Sequence, residues 1–218
     1  MGCTAVRLSM LSDPPSNDRC QIMSSSDPIP GFSSPAAGTE APLAMLATCH
    51  ERGARQCATL KNLQPHLAAR GADEEARTAA SAVLRYFDKA ARDHYADEEL
   101  DLFPALLESM AASDAVCLRA MIEGLIAEHR RLEHAWQLVR DELAGVAAGA
   151  SAQLSATGVE ALVSLYERHM AREDDELMPM ATRMLGEPEL ARIGVAMRAR
   201  RGIDGPKRPA GSPAPQRS

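Results

Sequence analysis

Two stretches of this chain carry residue types that do chemistry together. His94-Tyr-Ala-Asp-Glu98-Glu-Leu-Asp-Leu102-Phe-Pro104 and His169-Met-Ala-Arg-Glu173-Asp-Asp-Glu-Leu177-Met-Pro179 both read H-x-x-x-E-x-x-x-L-x-P. A His and a Glu four apart on a helix leave the same face, about 40° apart around the axis. An imidazole and a carboxylate aimed from one face, twice over, is the donor set of a metal pair. Imidazole with carboxylate suits iron, zinc or manganese. No paired inward cysteines support a structural zinc site instead.

The helices that must position these groups follow from the apolar spacing. One is expected from Pro42 to about Leu63, with Leu43, Leu46, His50, Cys57 and Gln64 on one face; Pro65 disturbs its end and Gly71 closes it. Asp73 caps a second, with Val83, Leu84, Phe87, Ala91, His94 and Glu98 in a stripe that ends near Leu107. Ser113 caps a third, striped by Met121, Leu125, His129, Leu132, Trp136, Val139 and Leu143, with Gly145 and Gly149 as stop signals. After a loop at about 148–156, a fourth runs from near Thr157 to Leu185 with Leu162, Leu165, Tyr166, His169, Glu173, Glu176 and Met180 on its face. Gly186-Glu-Pro breaks it, and a short amphipathic helix follows at 189–200. Pro104 and Pro179 are expected to tighten or end their helices just beyond the motifs. The sum is an all-α, up-down-up-down four-helix bundle over 41–202, between disordered segments at 1–40 and 203–218 that are rich in Ser, Pro and Gly.

The chain also looks duplicated. The two motifs are 75 residues apart, and the lone histidines upstream of them, His50 and His129, are 79 apart. At about 100° per residue, His50, His94, His129 and His169 all fall on apolar stripes, whereas His66 and His134 point away. One inward histidine is ordinarily a hydrogen-bonded core residue. Four of them, one per helix, with two glutamates at fixed offsets, are not explained by packing. An unpaired buried carboxylate costs several kcal/mol, of the order measured for isolated charges, so two facing one core call for a cation. The alternative is a metal-free network of Glu–His ion pairs. Two carboxylates from different helices can each bridge two metals while the four histidines take terminal positions. Six side chains do not saturate two six-coordinate ions, so positions stay open for a small ligand.

The acidic runs beside the motifs (Asp97, Glu99 and Asp101; Asp174, Asp175 and Glu176) read mostly as solvated helix face. Asp101 and Glu176 lie seven residues after a motif histidine and so are the candidates to support it from behind. Glu133, four after His129, makes a third H-x-x-x-E at the edge of its stripe. Cys49 reads as packing, and Met170, Met178, Met180 and Met184 as core filler.

Composition bounds the function classes. The net charge of -6 leaves no polybasic footprint for nucleic acid, and aromatics make up only 3% of 218 residues, too few for base stacking. No apolar run is long enough to span a membrane, and the N-terminus shows neither a signal pattern nor, with Val6, a myristoylation motif. The five cysteines form no C-x-x-C, which reads as reduced thiols in a cytoplasm.

The order H…HxxxE…H…HxxxE on four helices, with Asp97-Glu-Glu-Leu-Asp-Leu-Phe-Pro104 around the first motif, resembles the hemerythrin-like (HHE cation-binding) proteins. The resemblance extends over about 41–202, including Arg200-Arg201-Gly202. It implies that His50, His94, Glu98, His129, His169 and Glu173 are di-iron ligands, with Glu98 and Glu173 bridging two iron ions that also share an oxo or hydroxo bridge. Classical hemerythrins have five histidines and a bridging Asp on a longer spacer. Four inward histidines and Glu at i+4 argue against reversible O2 carriage.

Three functions are then in view. The first is a non-haem di-iron protein that binds or senses O2, NO or peroxide, or handles iron. The second is a di-iron enzyme with peroxidase- or oxidase-like activity, or an iron donor in iron–sulfur cluster repair, although repair members carry a separate cysteine-bearing domain. The third is a regulatory module that docks a partner through its C-terminal tail.

Overall fold

The computed structural model describes residues 41–110 and 115–203. Of the segments expected to be disordered, 1–40 and 203–218, all but residue 203 lie outside the described residues, as does the Ser113 cap. Five helices account for the rest. Helix α1 is Pro42–Arg70. Helix α2 covers 74–109, α3 is Ala115–Ala147, α4 covers 156–184, and α5 is Glu187–Arg200. No described residue is in a strand, and no helix is long and apolar enough to cross a membrane.

Local signals set most helix ends. Asp73 accepts a hydrogen bond from the Ala76 N–H (3.0 Å), and Ser155 one from the Gly158 N–H (3.1 Å), which starts α2 and α4. His66 is not a free surface side chain: its Nε2 lies 2.8 Å from Asp73 Oδ1 and ties α1 to that cap. Gly71 ends α1 with φ +69°, its N–H bonded to the Leu67 carbonyl. Pro65 does not end α1 as expected. The buried stripe Leu60, Leu63 and Leu67 continues past it, and burying such side chains offsets a lost ladder bond of roughly 3 kcal/mol. Gly145 likewise lies inside α3.

Apolar side chains form two separate core layers. One holds Cys57, Leu60, Val83, Phe87, Leu132, Trp136, Leu162 and Tyr166, among others. The second is built around Leu46, Leu102, Leu106, Leu125, Leu177 and Met197. Each long helix crosses from one layer to the other. In α1 the order is Leu46 then Cys57; in α2 it is Ala91 then Leu102; in α3, Leu125 then Leu132; in α4, Tyr166 then Leu177. The direction alternates from helix to helix, which is the expected up-down-up-down arrangement. α1 packs on α2 and α4, and α3 on α2 and α4, which closes the ring.

Helices α2 and α4 carry π-turns at Tyr86–Ala90, Glu98–Leu102 and Glu173–Leu177. Two of them fill the second half of the repeated motif. The Phe103 N–H bonds back five residues to Glu98, and Met178 does the same to Glu173. Pro104 and Pro179 follow immediately and cannot continue the ordinary ladder. The widened turn absorbs that mismatch, so the helices run on to Ser109 and Met184 instead of ending.

Helix α5 closes one side of the bundle against α1 and α2. It supplies Arg200 and Arg201 to Asp97, which is completely buried rather than solvated as expected. Arg201 Nη1 donates to Asp97 Oδ1 at 3.0 Å, and Arg200 Nη2 to Asp101 Oδ2 at 2.8 Å. Replacing both arginines by Ala leaves Asp97 buried and unpaired. The expected cost is about 3 kcal/mol or more, read as a lower denaturation midpoint. The single substitution Arg192→Ala, in an exposed and loose pair with Glu108 at 3.8 Å, should shift it little.

Candidate metal centre

Between the two apolar layers lie six polar side chains: His50, His94, Glu98, His129, His169 and Glu173. Each is no more than 5% exposed. All six sequence-predicted ligands therefore meet in one place. They form two groups of four: His50 with His94, and His129 with His169, each completed by Glu98 and Glu173.

The carboxylates face both groups. Glu173 Oε2 lies 3.3 Å from His50 Nε2 and 3.9 Å from His94 Nε2, while its Oε1 lies 3.2 Å from His169 Nε2 and 3.7 Å from His129 Nε2. Glu98 presents Oε1 to His94 Nε2 at 3.4 Å and Oε2 to His129 Nε2 at 3.2 Å. One oxygen of each carboxylate per cluster is the geometry of a bridging ligand. The four Nε2 atoms and all four carboxylate oxygens are buried and make no hydrogen bond. So many orphaned donors in one buried spot are not tolerated without a partner. A pair of cations supplies that partner, and these residues fit it.

The opposite edge of each ring fixes which nitrogen is free. His50 Nδ1–H donates to Asp174 (2.7 Å), His129 Nδ1–H to Glu99 (2.7 Å) and His169 Nδ1–H to Glu128 (3.0 Å). An ionised carboxylate only accepts, so Nδ1 holds the hydrogen and Nε2 keeps its lone pair for metal. These supporting acids are not the two expected from sequence. Asp101 instead binds Arg200, and Glu176 sits exposed near Arg172 at 3.8 Å. The π-turn is the reason. It inserts one residue into the helix, so the position eight after each histidine turns inward. Leu102 and Leu177, both fully buried, occupy those places.

The signal for the true partners lay in the repeat. Glu99 and Asp174 each follow a motif glutamate directly, and each reaches the lone histidine of a neighbouring helix. Glu128 precedes His129, and the residue that precedes His50 is Cys49. Cys49 thus takes, beside His94, the place that Glu128 takes beside His169. The pseudo-twofold pattern breaks there, and His94 Nδ1 has no hydrogen bond. Burial pushes the Cys49 thiol up, but the adjacent His94 imidazole with Arg201 and Arg52 outweighs it and leaves the thiol below its usual range.

Glu133 does not join the centre; it pairs with Arg130 at 3.3 Å. His134 is exposed, as expected. Of the methionines read as core filler, Met170 is buried and Met178, Met180 and Met184 are half-buried against the second layer.

Without metal, the imidazoles and carboxylates must balance one another. Burial pushes Glu98 up, and the charge of Glu173 pushes it further. Burial would raise Glu173 too, but the facing imidazoles of His129, His50 and His94 hold it well below the usual carboxylate range. His129 is pushed up to about 9: burial opposes this, and Glu173 and Glu98 prevail. His50 is also raised against burial, by Glu173 and Asp174, and His94 by Glu98, Cys49 and Glu173, whereas burial keeps His169 low.

The fold and site define a class: helical bundles with two buried His/Glu clusters that share their carboxylates and fit a pair of cations. The profile of the "Hemerythrin HHE cation binding domain" matches residues 41–181. The chain belongs to that family. It is also similar to an uncharacterised protein of Haemophilus influenzae, 28% identical over 162 residues, which are 74% of this chain and 91% of that one. Helix α5 lies beyond the residues the family profile matches.

Substitutions should sort by position. Glu99→Ala, Asp174→Ala or Glu128→Ala is expected to weaken metal binding about 10- to 100-fold, and Glu98→Ala or Glu173→Ala at least as much. His134→Ala should leave affinity unchanged. Competition with a chromophoric chelator measures each. If His134→Ala strips metal and His129→Ala does not, the assignment of helix α3 is wrong.

Protons compete for the same nitrogens. Because His129 titrates near 9 in the metal-free protein, metal affinity is expected to climb from pH 7 to about pH 9. The stability of the metal-free fold should move the opposite way. A histidine raised in the folded state stabilises it fully below the ordinary value of 6.5, and that contribution is lost as pH rises through about 9. Melting of metal-free protein at pH 6.5 and pH 9 checks the sign.

Proposed function

We propose that this protein holds two iron ions and binds or senses a small ligand such as O2, NO or peroxide. The observation that carries the reading is the divided carboxylates. Glu98 and Glu173 each offer one oxygen to each four-atom cluster, so these two carboxylates with the four imidazoles would hold a pair of ions. Mixed imidazole and carboxylate donors suit iron. When bound, such ions supply open coordination positions and reversible one-electron changes.

The chain's own residues do the rest. Three of the four imidazoles are oriented from behind by Asp174, Glu99 and Glu128. Two apolar layers exclude bulk water on either side, which strengthens every interaction between charges in the cage. Membership of the hemerythrin cation-binding family supports the metal, and the mixed imidazole and carboxylate donors are compatible with iron.

Protein purified under iron-replete conditions is expected to carry two irons per chain, with ligand-to-metal charge-transfer absorption that changes on exposure to NO or peroxide. Absence of iron after anaerobic reconstitution would sink the proposal. Stoichiometric spectral change without sustained peroxide consumption supports binding or sensing; steady turnover of peroxide would move the assignment to an enzyme.

A further inference from the structure

A cavity of about 380 Å3 opens between helices α2 and α3, outside the metal cage. Its size lies in the range of small-molecule sites. Three aromatic rings line it: Phe87, Tyr95 and Trp136. Phe87 and Trp136 stack at 4.8 Å between ring centres, 25° from parallel. In a chain with only 3% aromatic residues, three rings meet at this one cavity, each no more than 5% exposed.

The other lining residues favour an anion. Arg92 and His134 are exposed there and have no hydrogen-bond or ion-pair partner among the described residues. The two acids beside them are already engaged. Asp88 accepts from Arg140 through both oxygens (2.8 and 3.0 Å) and from Trp136 Nε1 (3.0 Å), so it influences Arg92 only through its charge. Glu133 pairs with Arg130. Aromatic walls with the uncommitted Arg92 guanidinium at their edge suit an aromatic ring bearing a carboxylate.

Two contacts join this cavity to the metal cage. The Tyr95 ring, one of its walls, stacks on the His129 ring at 4.2 Å and 21°. Arg130, another lining residue, donates to Glu99, and Glu99 in turn accepts from His129 Nδ1. A ligand that presses on Tyr95 or draws Arg130 toward its carboxylate acts on the same imidazole by either route.

We propose that the cavity is an effector site for a small aromatic carboxylate, coupled to the metal centre through His129. Occupation of the cavity needs no metal; the coupling rests on the metal reading above. Coupling is reciprocal, so whatever factor metal imposes on the carboxylate's affinity, the carboxylate imposes on the metal's.

Trp136 is the one tryptophan in the chain and lines the cavity, so its fluorescence reports occupation directly. Full-length protein, metal-free and metal-loaded with the content assayed, is titrated with sodium benzoate, cyclohexanecarboxylate and benzylamine. Benzoate is expected to change the emission saturably. Arg92→Glu should weaken it about 10-fold or more, the effect of a lost charge-assisted contact, with circular dichroism confirming the fold. His134→Glu is the second variant, expected to weaken benzoate in the same direction. Cyclohexanecarboxylate should bind more weakly and benzylamine not at all. Metal-loaded protein should differ from metal-free protein in benzoate affinity about 5-fold or more.

No saturable change with benzoate, or equal binding by both variants and the wild type, overturns the site. Benzylamine binding as tightly as benzoate overturns the charge argument, and cyclohexanecarboxylate doing so overturns the aromatic one. Equal benzoate affinity with and without metal overturns the coupling. A chain that takes up no metal overturns the metal reading and the coupling with it, while the metal-free titration still decides the cavity.

Discussion

Two carboxylates, Glu98 and Glu173, are held face to face in the middle of a protein core with no exposure to water. Their mutual repulsion and lost hydration are the constraint that everything around them answers. Like charges so placed do not both ionise without cations nearby. The metal-free chain meets the demand partly with protonated imidazoles, which is why His129 is driven up to about 9. A pair of metal ions would meet it fully and return those protons to water. Metal binding, the protonation of the cage and the cohesion of the bundle are therefore one equilibrium.

The backbone is bent to the same end. Each bridging glutamate opens a π-turn, and each π-turn is followed within two residues by a proline. The wider turn returns Leu102 and Leu177 to the core directly above the carboxylates. It moves Asp101 and Glu176 away from the histidines. Support for the rings comes instead from Glu99, Asp174 and Glu128, each reaching across to a histidine of a different helix. That cross-bracing locks four helices around the cage, so the site and the fold stabilise each other. The arrangement is nearly twofold, and it departs from symmetry where Cys49 stands opposite Glu128.

Helix α5 adds a second neutralisation just outside the cage. Asp97 precedes Glu98 and is as deeply buried. Its charge is met by Arg200 and Arg201 from the far end of the described chain. A third acid in so small a volume would otherwise compete with the bridging pair for the same cations. The arginines hold it without drawing on the metal's ligands.

The sequence alone determined the helices and the six side chains that meet in the core, because a four-residue spacing puts His and Glu on one face whatever the helix packs against. The duplicated motif made His50 and His129 legible through their matched offsets. What the tertiary structure decided were the partners that depend on a contact between helices or on a local break in the ladder. Asp97, Glu99 and Asp174 read as solvated face on a wheel; only the placement of α5, α3 and α1 beside them gives each a partner. Pro65, Pro104 and Pro179 read as interruptions, and burial of the stripes beyond them carried the helices through. Periodicity assumes an unbroken helix and knows nothing of its neighbours, so it found the six inward side chains and missed the residues that brace them.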